Sequence, residues 1–195
     1  MDGPEPPSPS QPPAPRFYMH PLLSHTQLYP APISYNIVFS PCTGTVFDRT
    51  VDSPISAVTL SEPATEPPIP ASSRLILRAS ELPWLVIVTG SKEGKKGGVE
   101  TSSVLTNLDV LYAVHKTLLA RAAPEEWDAL GEGSHAQCRV SEAYEDRCTR
   151  IGGGWEGGVR RVDWLGPDTH LVGVEIDEND EASEITGRLV FGPPC

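Results

Sequence analysis

Nowhere in this 195-residue chain does an apolar run approach the roughly 20 residues that a bilayer-spanning helix requires, so no membrane-spanning segment is expected. Basic residues are also scarce. Fifteen Lys and Arg face 26 Asp and Glu, a formal net charge of -11, and long-range attraction to phosphate backbones or anionic lipid works against the chain. Neither nucleic acid nor a membrane surface is an expected partner. Cysteine is sparse as well: Cys42, Cys138, Cys148 and Cys195 form no C-x-x-C pair, and the chain is too large to need disulfide staples. They read as free thiols in a reducing compartment. The opening residues lack both a basic start and an apolar core, so no secretory signal is expected and the protein reads as soluble and intracellular, cytoplasmic or nuclear.

Proline, by contrast, is abundant at the front, with ten between Met1 and Pro32. That density removes backbone donors and favours extended conformers with little apolar surface to offset ordering entropy, so residues 1–16 are predicted to be disordered. Phe17 to Tyr29 gathers Phe17, Tyr18, Met19, Leu22, Leu23, Leu28 and Tyr29, and is expected to dock, either on its own domain or as a linear motif in a partner's groove. Residues 33–195 read as a single α+β domain: a mainly antiparallel sheet of six or seven strands packed with two or three helices.

Ile33 to Phe39, Ile55 to Leu60, Arg74 to Ala79 and Trp84 to Thr89 read as strands, the last two forming a hairpin across Ser-Glu-Leu-Pro. Four prolines between Ser61 and Ser73 predict a long extended loop. From Val104 to Leu119 the apolar period lengthens to about three and a half, which predicts a helix capped by Thr101, Ser102 or Ser103. Pro124 to Leu130 has the proline and acidic first turn of a short helix; in Ser134 to Arg150, Val140, Ala143, Tyr144 and Cys148 oppose Glu142, Glu145, Asp146 and Arg147, which predicts a longer one ended by Gly152 to Gly154. Gly158 to Ile176 suggests two strands meeting across Gly-Pro-Asp-Thr, and Ser183 to Phe191 a final strand.

Chemistry-bearing patterns are thin. The Gly90 to Gly98 loop, with Lys92, Lys95 and Lys96, has the strand-to-helix setting of an anion cradle, but three residues rather than four separate Gly90 from Gly94. The acidic run Glu175 to Glu184 has calcium-loop alternation at Asp177, Asn179 and Glu181, yet Ala182 and Arg188 stand where glycine and glutamate are needed. No metal site and no cofactor is expected. His20 and His25 lie in the arm and His115 on an apolar helix face, the setting of a hydrogen-bonded core histidine. His170 falls near a turn, within reach of Asp163 or Asp168, so a nucleophilic Cys148, His170 and Asp163 set is one reading for a small hydrolase or transferase. Trp155, framed by glycines in Gly152 to Gly158, is either an anchor holding down a loop or an exposed hot spot. Arg160 and Arg161 straddle the two faces of the expected hairpin, one solvated and the other paired with Asp163, Glu175 or Glu156.

Several phrases together resemble a domain family of unknown function abundant in mushroom-forming basidiomycete fungi: His20-Pro21-Leu22-Leu23, Ile33-Ser34-Tyr35, Ala64-Thr65-Glu66-Pro67-Pro68, Leu82-Pro83-Trp84, the helix around Val104 to Leu111, Tyr144 with Arg147-Cys148, and Gly158-Val159-Arg160-Arg161-Val162-Asp163-Trp164-Leu165-Gly166. The chain departs from that pattern in the acidic stretch after Ile176 and in a closing Gly187 to Phe191 without tryptophan. The resemblance implies a fungal, intracellular domain with no assigned activity, in which the Leu82 and Asp163 phrases are structural signatures. The leading expectation is therefore a non-enzymatic module that meets a protein partner through its arm, its Trp155 loop or a sheet edge, with the Cys/His/Asp enzyme and an anion or nucleotide binder as alternatives.

Overall fold

The computed structural model describes residues 16–90, 104–177 and 185–193. In chain order its elements are β1 (Tyr18–Met19), β2 (Ile33–Asn36), β3 (Val46–Asp48), β4 (Ser53–Pro54), α1 (Ala57–Ser61), β5 (Thr65–Glu66), β6 (Leu75–Arg78), β7 (Val86–Val88), α2 (Asn107–Leu118), α3 (Pro124–Asp128), α4 (His135–Ile151), β8 (His170–Ile176) and β9 (Ile185–Gly192), with 3-10 turns at Trp155–Gly157 and Arg161–Leu165. The architecture is α+β. A seven-stranded sheet in the order β4-β3-β2-β8-β9-β6-β7 forms its body, and β1 and β5 pair in a separate ribbon. Six neighbours within the large sheet follow from antiparallel pairing except one, because β6 and β9 run parallel.

The sheet's buried face alternates as period-two patterning requires. Ile33 and Tyr35 on β2, Leu75 and Leu77 on β6, and Val86 and Val88 on β7 point inward onto one core with Leu171, Val174 and Leu189. Helix α2 covers it with Val110, Leu111, Val114 and Leu118, spaced three or four apart on one stripe. Its amino end is a capping box: the Thr106 hydroxyl accepts from the Asp109 N–H at 3.2 Å while the Asp109 carboxylate accepts from the Thr106 N–H at 2.9 Å. The expected caps Thr101, Ser102 and Ser103 lie outside the described residues. Ser134 caps α4, and Gly152 ends it in the left-handed region at φ 68°.

Residues 20–32 form a strap over the sheet. Leu22, Leu23 and Ala31 are buried, and the strap continues the pairing of β8 where β2 stops: His25 N–H donates to the Val174 carbonyl at 3.0 Å and Val174 N–H to the Leu23 carbonyl at 2.7 Å. Gly173 makes this approach feasible, since a Cβ there would lie 2.9 Å from the Leu23 carbonyl oxygen and 2.7 Å from His25 Cβ. Leu28 and Tyr29, in contrast, project from the turn at Thr26 into solvent.

Two strand expectations fail for local reasons. Residues 57–61 are helical, because the Ser56 hydroxyl accepts from the Thr59 N–H at 3.0 Å and starts a turn that buries Leu60. The run from Gly158 to Leu165 is no strand either. The Asp163 carboxylate accepts from the Arg160 N–H at 2.8 Å and Asp163 N–H donates to the Arg160 carbonyl, which winds Arg161–Leu165 into a 3-10 turn bracketed by positive-φ Gly158 and Gly166. The hairpin partner of β8 is accordingly β9, and Trp164 sits in the turn instead of a strand. Trp84 lies just before β7.

Candidate functional site

The turn at Arg161–Leu165 joins the helical layer to the sheet through three side chains. Arg147 on α4 meets Asp163 in a two-pronged pair, Nε to Oδ1 at 2.6 Å and Nη2 to Oδ2 at 2.9 Å, with both side chains almost wholly buried, 4% and 1% exposed. A planar guanidinium matches a carboxylate in this way, and the remaining contact from Arg147 Nη2 goes to the Gly158 carbonyl at 3.2 Å. Asp163 in turn holds the Arg147 guanidinium charged, above its usual range. Arg160 turns the other way and donates from Nη1 to the carbonyl of Leu119, the C-cap of α2, where a cation also meets the negative end of the helix. Arg161 donates to Glu126 on α3 at 2.6 Å and lies 4.9 Å over the Trp84 ring. Trp84 closes the circuit by donating its indole N–H to Glu126 at 2.6 Å and stacking edge-on with Trp164 at 5.1 Å. Burial pushes the Glu126 carboxyl up, but the bonds from Arg161, Ala123 N–H and Trp84 outweigh it and hold it below the usual range.

On the outside of this framework lies a groove. Residues 120–122 run antiparallel to 159–161, with Ala122 N–H donating to the Val159 carbonyl at 3.0 Å and Arg161 N–H to the Ala120 carbonyl at 3.1 Å. Arg121 and Arg160 thus stand opposite at the closer kind of antiparallel position, on the same face. Arg160 is taken up by the end of α2. Among the described residues no ion pair engages Arg121, which lines an open groove of about 560 Å³ with Ala122, Ala123, Pro124, Trp127 and Val159. Gly158, at φ 66°, lies under its guanidinium; a Cβ there would be 3.5 Å from Arg121 Nε. The loop that supplies Val159 also carries Trp155, whose ring is half exposed while its carbonyl accepts from the Tyr144 hydroxyl at 2.8 Å and its ring meets Tyr144 edge-on. Trp155 is both tethered and presented.

The sequence-derived candidates fall unevenly around this region. Asp163, Arg160 and Arg161 converge there, though none pairs as expected: Arg161 takes Glu126, Arg160 takes a helix end, and Asp163 takes Arg147. Glu175 pairs with Arg188 across the β8–β9 ladder. Cys148 is fully buried and no hydrogen bond joins it to His170 or Asp163 among the described residues, whose own carboxylate is saturated by N–H donors. His170 is half-buried with Nδ1 unpartnered; burial, reinforced by the Arg150 charge, holds its imidazole below the usual range. His115 bonds the Ile37 carbonyl at 2.8 Å, and His20 spans Glu62 and the Leu22 N–H. Lys92, Lys95 and Lys96, and the acidic positions Asn179 and Glu181, lie outside the described residues. Among the described residues no group of three His, Cys, Asp or Glu side chains could hold a metal ion, and no helix is long and apolar enough to cross a membrane. Cys42, Cys138 and Cys148 are free thiols. Sequence reasoning read Arg121 and Glu126 only as charges suited to helix ends, because the segment they face, around Arg160 and Arg161, lies far along the chain. It placed Trp127 and Pro124 on a helix without seeing the groove that they wall.

A family model described as a family of unknown function, DUF6699, matches residues 33–183. No curated protein and no solved structure matches the chain.

Proposed function

The chain belongs to the DUF6699 family of unknown function, and from that footing we propose that it is a protein-interaction module that receives a short peptide segment in the Trp127 groove. One observation carries this reading: an open, mostly apolar groove walled by Trp127, Pro124 and Val159, with a cation at its edge, Arg121, that no ion pair among the described residues engages. An aromatic and a proline offer flat apolar surface to an extended chain, and a lone arginine gives such a site a sign and a direction. The framework behind it supports the reading, because Arg147–Asp163 and Arg161–Glu126 fix the two segments that form the walls and so reduce the ordering cost of binding. Half-exposed Trp155 on the adjoining loop extends the surface with a second anchor. The fungal kinship drawn from the His20, Leu82 and Gly158 phrases, and an intracellular setting in keeping with free thiols, form part of the same reading.

The test is selection of a displayed random-peptide library on the immobilised full chain. Enriched peptides are expected to carry an acidic side chain next to proline or another apolar residue, to bind with Kd of about 1–100 µM, and to lose at least tenfold in affinity to Trp127→Ala. Absence of enrichment, or binders indifferent to both Trp127→Ala and Arg121→Glu in chains with native circular dichroism, overturns it.

A further inference from the structure

The groove has a backbone edge as well as apolar walls, and we infer that its ligand binds there by strand addition: an extended segment of another protein pairs antiparallel with Arg121, setting an acidic residue opposite it and apolar residues on either side. The inference deepens the peptide-binding reading above and rests on it. In the short ladder of residues 120–122 and 159–161, Ala122 N–H donates to the Val159 carbonyl at 3.0 Å and Arg161 N–H to the Ala120 carbonyl at 3.1 Å. Arg121 and Arg160 stand between those bonds, so their own N–H and C=O groups turn away from each other, toward the two outer flanks. The flanks end differently. On the Arg160 side both groups are spent on Asp163, whose carboxylate accepts from the Arg160 N–H at 2.8 Å and whose N–H donates to the Arg160 carbonyl at 2.9 Å. On the Arg121 side neither group has a partner among the described residues, and Arg121 is exposed at the edge of the groove.

An outward N–H and C=O on one residue are the fitting for one residue of an antiparallel strand, which exchanges both bonds with it. Residues paired in this way carry their side chains on the same face with Cα atoms about 5.5 Å apart, so the ligand residue opposite Arg121 meets the guanidinium, and a carboxylate is the side chain this favours. No ion pair among the described residues competes for Arg121. Because the protein carries a net charge of -11, acidic segments gain nothing from its long-range field; the one local cation sets the register of the added strand instead of steering its approach. The ligand residues before and after the acidic one point to the opposite face, that of Ala122 and Val159, two of the groove's apolar walls. Proline is admitted at those flanking positions, whose N–H groups point away from the edge, and barred from the acidic position, whose N–H must reach the Arg121 carbonyl.

The experiment uses the isotope-labelled full chain and the peptides selected from the displayed library. Saturating peptide is expected to slow hydrogen exchange at the Arg121 amide by about tenfold or more. N-methylation of the peptide at its acidic residue removes the donor to the Arg121 carbonyl and should weaken binding about tenfold, whereas the same change at either neighbouring residue should cost less than about threefold. Selection repeated on Arg121→Glu, in chains with native circular dichroism, should enrich Lys or Arg at the acidic position, since the backbone edge is intact. An Arg121 amide that exchanges at one rate with and without bound peptide overturns the inference, as does a methylation series that is flat or peaks at a neighbouring residue, or continued enrichment of acidic residues by Arg121→Glu. An Arg121 amide protected in the chain alone and released on dilution would assign the edge to a second copy and overturns it too. If selected peptides bind and depend on Trp127 while the Arg121 amide is unmoved, the groove reading stands and strand addition falls. If no peptide is selected, both fall.

Discussion

Asp163 accepts three N–H bonds, from Arg147 twice and from the Arg160 backbone, and sits 1% exposed. Such a carboxylate has a structural task, and removing one partner leaves a buried charge alone. Arg147→Met is therefore expected to lower unfolding free energy by about 3–5 kcal/mol in urea titration, with Asp163→Leu added to it restoring a substantial part. The pairing links positions sixteen apart, and the sequence offered Glu175, Glu156 and Asp163 as arginine partners with no means to choose. His170 illustrates the converse. Its position beside a turn was readable, but its solvation was not, since Arg150 and the surrounding burial belong to the fold. Because the folded state disfavours the protonated imidazole, stability is full above the ordinary histidine pKa of about 6.5 and declines as pH falls through and below it. His170→Gln should show a smaller loss between pH 7.5 and 5.5 than the natural chain, measured by urea unfolding at each pH; an identical loss would remove His170 from the acid response.

Among the elements, α2, α3 and α4, the β6–β7 pair and β2 were legible because each carries its own period and its own punctuation, such as Pro124 at the start of α3 and Gly152 after α4. The misread elements are those where a single side chain overrules the pattern. The β-branched run from Val159 onward reads as a strand, yet the Asp163 carboxylate bends Arg161–Leu165 into a turn. Ser56 does the same to residues 57–61. The strap over β8 depends on one position. Gly173 lies at φ 154° beneath the Leu23 carbonyl, so Gly173→Ala should lift residues 20–32 from the sheet. The expected readout is faster amide exchange at His25 and Val174, whose hydrogen bonds join strap and strand, together with a loss of several kcal/mol in stability. Unchanged exchange at both amides would show that the strap is held elsewhere.

At the scale of the whole molecule, the family match and the folding unit have different boundaries. Residues 33–183 omit Met19, Leu22 and Leu23 from the core and omit all of β9, which lies between β8 and β6 in the middle of the sheet. A fragment of residues 33–183 should therefore show no cooperative thermal transition by circular dichroism, whereas residues 16–193 should unfold in one step; a cooperative 33–183 fragment would mean that the sheet closes without its central strand. Strand order was the least legible property of the sequence, because β2 joins β8 and β6 joins β9 across more than a hundred residues, and local patterning carries no address. That wiring has a consequence for the chain as it is made. A ribosome adding 5–20 residues per second needs about 5–20 s between finishing β6 and reaching β9, and throughout that interval the β6–β7 hairpin displays a bare flank to its surroundings. The nascent protein thus passes through a long adhesive adolescence, in which a chaperone or a neighbouring polysome is the first company that β6 can keep.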